Sequence, residues 1–180
     1  VPKDCPMIVK CKAGQRQGKG LVMVRIALHL LGCCGYKPDK CVSNFTFNVD
    51  GTHRLDIEHL VAFMQKMIAS KLTGMMILIQ EADRAFPPRM WHDPKQTQAL
   101  LGCWQDEKLD NMFIIDCHWG DVDLMLRQAC QIEIIPKYRP KQDLVELGII
   151  DIINHKEPVY AELPHISDVF PWYNTYEPIS

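Results

Sequence analysis

Hydrophobic residues fall in short dense blocks separated by turn residues, and the spacing inside each block predicts alternating strands and helices. Met7-Ile8-Val9-Lys10-Cys11 is a first strand, followed by a glycine-bearing turn from Ala13 to Gly20. Leu21 to Leu31 is apolar around nearly its whole circumference, as a helix packed inside a protein must be, and Gly32 is expected to stop it. Cys41-Val42-Ser43-Asn44-Phe45-Thr46-Phe47 has the composition of a strand. Asp56 is placed to cap a helix carrying Leu60, Phe63, Met64, Met67 and Ile68 on one face and ended by Gly74. Met75 to Ile79 and Met112 to Cys117 are continuous apolar runs, suited to strands buried on both faces of a parallel sheet. Thr97 to Leu109 and Asp121 to Cys130 predict two more helices, and Gln131 to Ile135 a strand.

Strand and helix thus alternate as far as Ile135, the pattern of an α/β domain with right-handed crossovers. After Pro136 the pattern changes: Val145 to Ile153 and Pro158 to Leu163 read as a two-stranded ribbon, and Pro164 to Ser180 as a wrapping tail. At 180 residues this is one domain, with residues 1–135 as its α/β core and 136–180 as ribbon and tail.

Composition narrows the class without changing the fold. With 47% apolar and 23% charged residues the chain is neither disordered, collagen-like nor a coiled coil. No stretch approaches the roughly 18 uncharged apolar residues of a membrane span. The start, Val1-Pro2-Lys3-Asp4, has neither a secretory leader pattern nor an initiator Met, which leaves room for flanking residues. Eight cysteines form no C-x-x-C pair and no zinc-spaced quartet, and most lie in apolar runs, so they are expected to be reduced. A net charge of −2 hides an asymmetry. Near the N-terminus Lys3, Lys10, Lys12, Arg16, Lys19 and Arg25 face Asp4 alone, which is either an anion site or a solvated face.

The chemistry concentrates at strand ends. Ala13-Gly14-Gln15-Arg16-Gln17-Gly18-Lys19-Gly20 lies between the first strand and the buried helix, where a phosphate-binding loop belongs. Against the pattern G-x-x-x-x-G-K-[ST], Gly18 and Lys19 fit, Ala13 replaces the first glycine and Gly20 replaces the hydroxyl residue. Gly14 and Gly18 let backbone N–H groups converge on phosphate oxygens, and Lys19 can bridge the β- and γ-phosphates of ATP. At the end of the third strand, Glu81 is placed to activate water, or else to serve as a capping or ion-paired acid. Gln80 stands where a magnesium-side carboxylate is usual, so Gly20 and Gln80 both lack the ordinary Mg²⁺ ligands. His118, after the fourth strand, is either a γ-phosphate sensor or a satisfied surface histidine. Arg127 is either an arginine finger for a neighbouring subunit or a partner of Asp123, with Arg84 and Arg89 as rival fingers or DNA contacts.

These segments together resemble the viral and phage ATPases of the FtsK–HerA superfamily, particularly the Zot-like proteins and the small genome-packaging ATPases. Ile79-Gln80-Glu81-Ala82-Asp83-Arg84-Ala85-Phe86-Pro87-Pro88-Arg89 is similar to the family's "DEAxxxFPxR", and Trp172-Tyr173-Asn174-Thr175-Tyr176-Glu177 to its "YDTxE" ending. The resemblance implies a RecA-like (ASCE) P-loop fold, ATP with Mg²⁺ as cofactors, and a homo-oligomer, usually a hexameric ring. It also implies non-sequence-specific DNA, and viral capsid or membrane-vertex proteins, as partners, in a host cytoplasm or a virion. Lys95 and the cluster Lys137-Tyr138-Arg139-Pro140-Lys141 are the loops expected to meet DNA phosphates. Three functions follow: a DNA-translocating motor, a ring component that no longer turns over, and a small-molecule phosphotransferase. Gly20, Gln80, and His118 in place of the family's usual Gln, support the second. The absence of an arginine-rich lid weighs against the third.

Overall fold

The computed structural model describes residues 7–87, 102, 110–122, 124–154 and 156–174, with Met7 and Met125 described by their backbone only. In chain order the elements are β1 (Met7–Lys12), α1 (Lys19–Cys33), β2 (Cys41–Ser43), β3 (His53–Arg54), α2 (Ile57–Ser70), β4 (Met76–Ile79), α3 (Ala82–Ala85), β5 (Met112–Cys117), α4 (Leu124–Ala129), β6 (Ile132–Arg139), β7 (Leu144–Asp151) and β8 (Val159–Pro164). A 3-10 helix, Ile166–Trp172, follows β8. Of the helix expected over Thr97 to Leu109 only Gly102, which is helical, is among the described residues.

The strands form one sheet in the order β3-β2-β4-β5-β1-β6-β7-β8. Pairing is parallel from β3 across to β6 and antiparallel for the last two steps. This is a P-loop NTPase fold: β5 is inserted between the strand that feeds the glycine loop and the strand that ends in Glu81. Alternation along each strand sends residues to two cores. Val9, Cys11, Met76, Leu78, Met112 and Ile114 pack with α1 and the 3-10 helix, while Ile8, Ile77, Ile79, Phe113 and Ile115 pack with α2, α3 and α4. Both faces are covered, which is why the central strands read as unbroken apolar runs.

Several boundaries differ from expectation, each for a local reason. α1 runs through Gly32 to Cys33, because a glycine near an exposed helix end costs only about 1 kcal/mol and Gly35, at φ 79°, makes the turn instead. α2 starts at the expected cap, where the Asp56 carboxylate accepts from the His59 N–H at 2.9 Å, but it ends earlier, at Lys71 in a left-handed conformation. The second strand stops at Ser43, because Phe45 and Phe47 turn into the α1-side core, and Phe47 pairs with Tyr173 of the tail. β6 passes through Pro136 rather than ending before it. Pairing with β1 reaches only Ile134, so beyond that point no ladder bond is lost on the β1 side. The ribbon is thereby three strands wide.

Candidate nucleotide site

The loop after β1 has the backbone of an anion cradle. Arg16 (φ 56°) and Gly18 (φ 83°) are left-handed, a combination that turns successive N–H groups toward one side. Glycine is required at position 18 twice over. Its φ is unfavourable for other residues, and a Cβ would come 3.3 Å from both Tyr138 and Val145. Gly18 is the N-cap of α1 without a side-chain cap, and the first turn holds no acid, so the helix end keeps its partial positive charge for an anion. Lys19 is buried, and its ammonium donates to the carbonyls of Ala13 at 3.2 Å and Gly14 at 2.9 Å. It is curled over the loop it would serve.

The carboxyl ends of β4 and β5 bring the acids to the same place. Following the α1-side alternation of Met76 and Leu78, Gln80 lands on the loop side, as Asp116 does after Met112 and Ile114. Gln15, Arg16, Gln17, Gly18, Lys19, Gly20, Gln80, Glu81, Asp116 and His118 line a single cavity of about 610 Å³. Ala13 and Gly14 do not line it; their carbonyls accept from the Lys19 ammonium. Glu81 sits in a left-handed turn at φ 51°, its N–H donating to Asp116 Oδ1 at 2.6 Å and its carboxylate 2.8 Å from the largely exposed Arg84 guanidinium. Strained backbone of this kind, at about 1–3 kcal/mol, is characteristic of functional sites. His118 is oriented by Asp83: its backbone N–H donates to one carboxylate oxygen and its Nδ1 lies 3.3 Å from the other.

Three participants were not anticipated from the sequence. Asp116 is buried beside Lys19, and burial pushes its carboxyl up to about 6, with the charges of Glu81 and Asp83 adding to the shift. Asp83 holds the histidine. Tyr173, from the far end of the chain, reaches the loop: the Gln80 amide donates to its hydroxyl at 2.6 Å, and Phe45 meets its ring edge-on at 5.4 Å. Asp83 and Tyr173 lie inside the two segments that carry the resemblance, but their contacts with His118 and Gln80 depend on tertiary structure, and Asp116 is marked in the sequence only as part of an apolar strand.

Other expected residues lie elsewhere. Arg127 does not line the cavity; its Nε is 3.7 Å from Asp121 Oδ2, and Asp123 is outside the described residues. Lys10 and Lys12, part of the N-terminal basic excess, are engaged by Asp121, and Lys10 also by Glu133, so they serve the fold rather than an anion site. Lys137 and Arg139 are on strand β6 instead of a loop, and Arg139 pairs with Glu146 at 3.1 Å. Arg89 and Lys95 lie outside the described residues.

The cavity offers oxygen groups of the kind magnesium takes, the Tyr173 hydroxyl, the Gln80 amide oxygen and the carboxylates of Asp116 and Glu81, beside the cationic Lys19 and Arg16 and the His118 imidazole. Among the described residues no three acidic, histidine or cysteine side chains converge as a metal cage. A magnesium ion here would therefore be held mainly by nucleotide phosphate and water, as is usual for it.

No protein-family model matches the sequence, and no curated protein does. Solved structures do match. The N-terminal domain of zonular occludens toxin from Neisseria meningitidis aligns with a TM-score of 0.64 at 14% identity, over 94% of this chain and 100% of that one. The genome packaging NTPase B204 from Sulfolobus turreted icosahedral virus 2, in complex with ATP-gammaS, aligns with a TM-score of 0.65 at 13% identity, over 88% and 97%. The chain has the fold of these proteins. The same NTPase has been solved with sulfate, with a TM-score of 0.62 at 12% identity.

Proposed function

We propose that this chain is an ATP-dependent motor subunit that moves DNA for a virus or mobile element, in genome packaging or extrusion. The observation that carries the reading is convergence: the anion-cradling loop, Lys19, Glu81, Asp116 and His118 surround one cavity. In this reading the loop N–H groups and the α1 N-terminus hold the phosphates. Lys19 releases the Ala13 and Gly14 carbonyls to meet them, which exchanges hydrogen bonds from its ammonium to neutral oxygens for bonds to charged ones. Tyr138 and Phe170 give the cavity flat apolar walls of the kind a base packs against. Glu81 takes the proton of the attacking water, and freeing it from an exposed Arg84 costs little. His118, aimed by Asp83, senses the γ-phosphate. When bound, magnesium supplies charge neutralisation on the phosphates. Arg127 acts in trans, in a ring of identical subunits, with hexamers as the expected size. DNA is held through its phosphates, and capsid or membrane-vertex proteins are the expected docking partners.

The test is phosphate release from ATP with magnesium, with and without DNA. Turnover stimulated by DNA and abolished by Lys19→Ala is the expected result, and Glu81→Gln should slow it about 10²–10⁴-fold, the usual contribution of a general base. The second reading, a ring component that binds nucleotide without hydrolysis, draws on the absence of ordinary magnesium ligands at Gly20 and Gln80. ATP binding without turnover in the assembled protein would select it. No described helix is long and apolar enough to cross a membrane, so neither reading calls on one of these helices as an anchor.

A further inference from the structure

Gly20 looks at first like the loss of a functional group. The space beside it, however, is occupied. A Cβ at position 20 would collide with the Tyr173 hydroxyl and would lie 2.7 Å from Tyr173 Cζ and 2.9 Å from Cε1, distances real Cβ atoms do not adopt. The phenolic oxygen therefore stands where the first side-chain atoms of a serine or threonine would stand. It is also hydrogen-bonded to Gln80, the residue that replaces the acid at the end of β4. Positions 20 and 80 thus depart from the usual pattern together, and one side chain from the tail touches both.

The tyrosine is held firmly enough to act as part of the site. Its ring packs edge-on against Phe45, its strand-like backbone pairs with Phe47, and the preceding carbonyls of Trp172 and Pro171 accept from the backbone and side chain of Asn48. Tyr173 is only 6% exposed, yet it lines the cavity. Gln80 suits this partner. A neutral amide can either donate to a phenol or accept from it, so the pair is satisfied with or without a cation nearby. The geometry points to Tyr173 as the hydroxyl of the nucleotide site, a positioning residue that supplies from the tail the oxygen the glycine loop lacks. This rests on reading the cavity as a nucleotide site. Gly20 is then required to admit the phenol, and the site is complete only when the tail is docked on α1.

The experiment is a titration with a non-hydrolysable ATP analogue, in excess magnesium and again in EDTA, read as the ratio of the two dissociation constants. The full chain should bind more tightly with magnesium. Tyr173→Phe keeps the ring and removes the oxygen, and should lower that ratio about tenfold, the scale of one hydrogen bond in a charged site. Returning a hydroxyl to the loop in Gly20→Ser/Tyr173→Ala, where no ring stands against a Cβ at position 20, should raise the ratio above that of Tyr173→Ala alone, which no purely structural role for the phenol predicts. Gly20→Ala with Tyr173 present should displace the oxygen and lower the ratio as Tyr173→Phe does, which keeps the test open if Tyr173→Phe folds poorly. A ratio unchanged by Tyr173→Phe, a double variant that restores nothing, or no magnesium effect in the parent chain would each overturn the inference and leave nucleotide binding intact. No binding by the parent chain in either condition would overturn the reading of the cavity itself, and this inference with it.

Discussion

Asp116 shows how one residue can trade stability for a charge in the right place. Its carboxyl is raised by burial from an ordinary 3.8 to about 6. Below about pH 4 it is protonated in both folded and unfolded chains. Between about 4 and 6 the unfolded chain loses its proton first, so stability falls as pH rises, and above 6 the whole penalty is present, on the order of 2–3 kcal/mol. Asp116→Asn keeps an oxygen for the Glu81 N–H and removes the titration. The expected outcome is that the variant's stability relative to the parent improves by that amount between pH 4 and pH 8, measured by urea unfolding at both values. A relative stability that does not change with pH would mean that folding does not raise the Asp116 carboxyl. In the sequence this residue is one acid inside Met112 to Cys117, and the run was legible only as a strand. Lys19, Glu81 and His118 could be placed because each follows a strand at motif spacing. Tyr173 could not be placed, since its contact with Gln80 joins residues 93 apart through the docking of the tail.

At the scale of elements, the succession of strands and helices along the chain followed from hydrophobic blocks, whereas boundaries followed from contacts the blocks do not contain. α1, α2, β4 and β5 were legible because each is long or densely apolar. β3, two exposed residues paired with β2, left no such signal. Lys10 is the clearest case of a local pattern with a tertiary cause. It interrupts the first apolar strand, which looks like a polar edge, yet it is fully buried and donates to both oxygens of Asp121 at 3.1 and 2.9 Å, with Glu133 at 2.7 Å. Burial works against its charge, but the hydrogen bonds to Glu133 and Asp121 outweigh it and hold the ammonium above the usual lysine range. One side chain thereby ties β1 to β6 and to the turn before α4. Lys10→Met leaves Glu133 without this partner and Asp121 with fewer, so it should cost about 3–5 kcal/mol, the usual cost of breaking a buried pair. Equilibrium unfolding in urea measures it, and a variant as stable as the parent would show that the network contributes nothing net.

At the scale of the whole molecule, the proposed ATPase function turns on where an arginine for the γ-phosphate would come from. Among the described residues the only arginine lining the cavity is Arg16, which belongs to the loop itself. Arg84 is spent on Glu81 in the same chain. Arg127 lies on α4, on the opposite face of the sheet from α1, and is the loosest partner of Asp121, 3.7 Å away where Lys10 and Lys12 are at 2.9 and 2.7 Å. Losing it would leave that carboxylate paired, so Arg127 is available to a neighbouring subunit at little cost to its own fold. If it acts in trans, Lys19→Ala and Arg127→Ala subunits should each be inactive alone and active when mixed. In an equal random ring about a quarter of interfaces would join an intact Lys19 to an intact Arg127, which sets the scale of recovered ATP turnover. Recovery can arise only across an interface, because no single chain in the mixture carries both residues. A mixture as inactive as its components, in assemblies shown by energy transfer between differently labelled subunits to have exchanged, would place the finger elsewhere. The same mixing with Arg84→Ala would then separate the two candidates, since Arg84 acting through Glu81 of its own chain also impairs the site that holds the nucleotide and cannot be supplied by a neighbour.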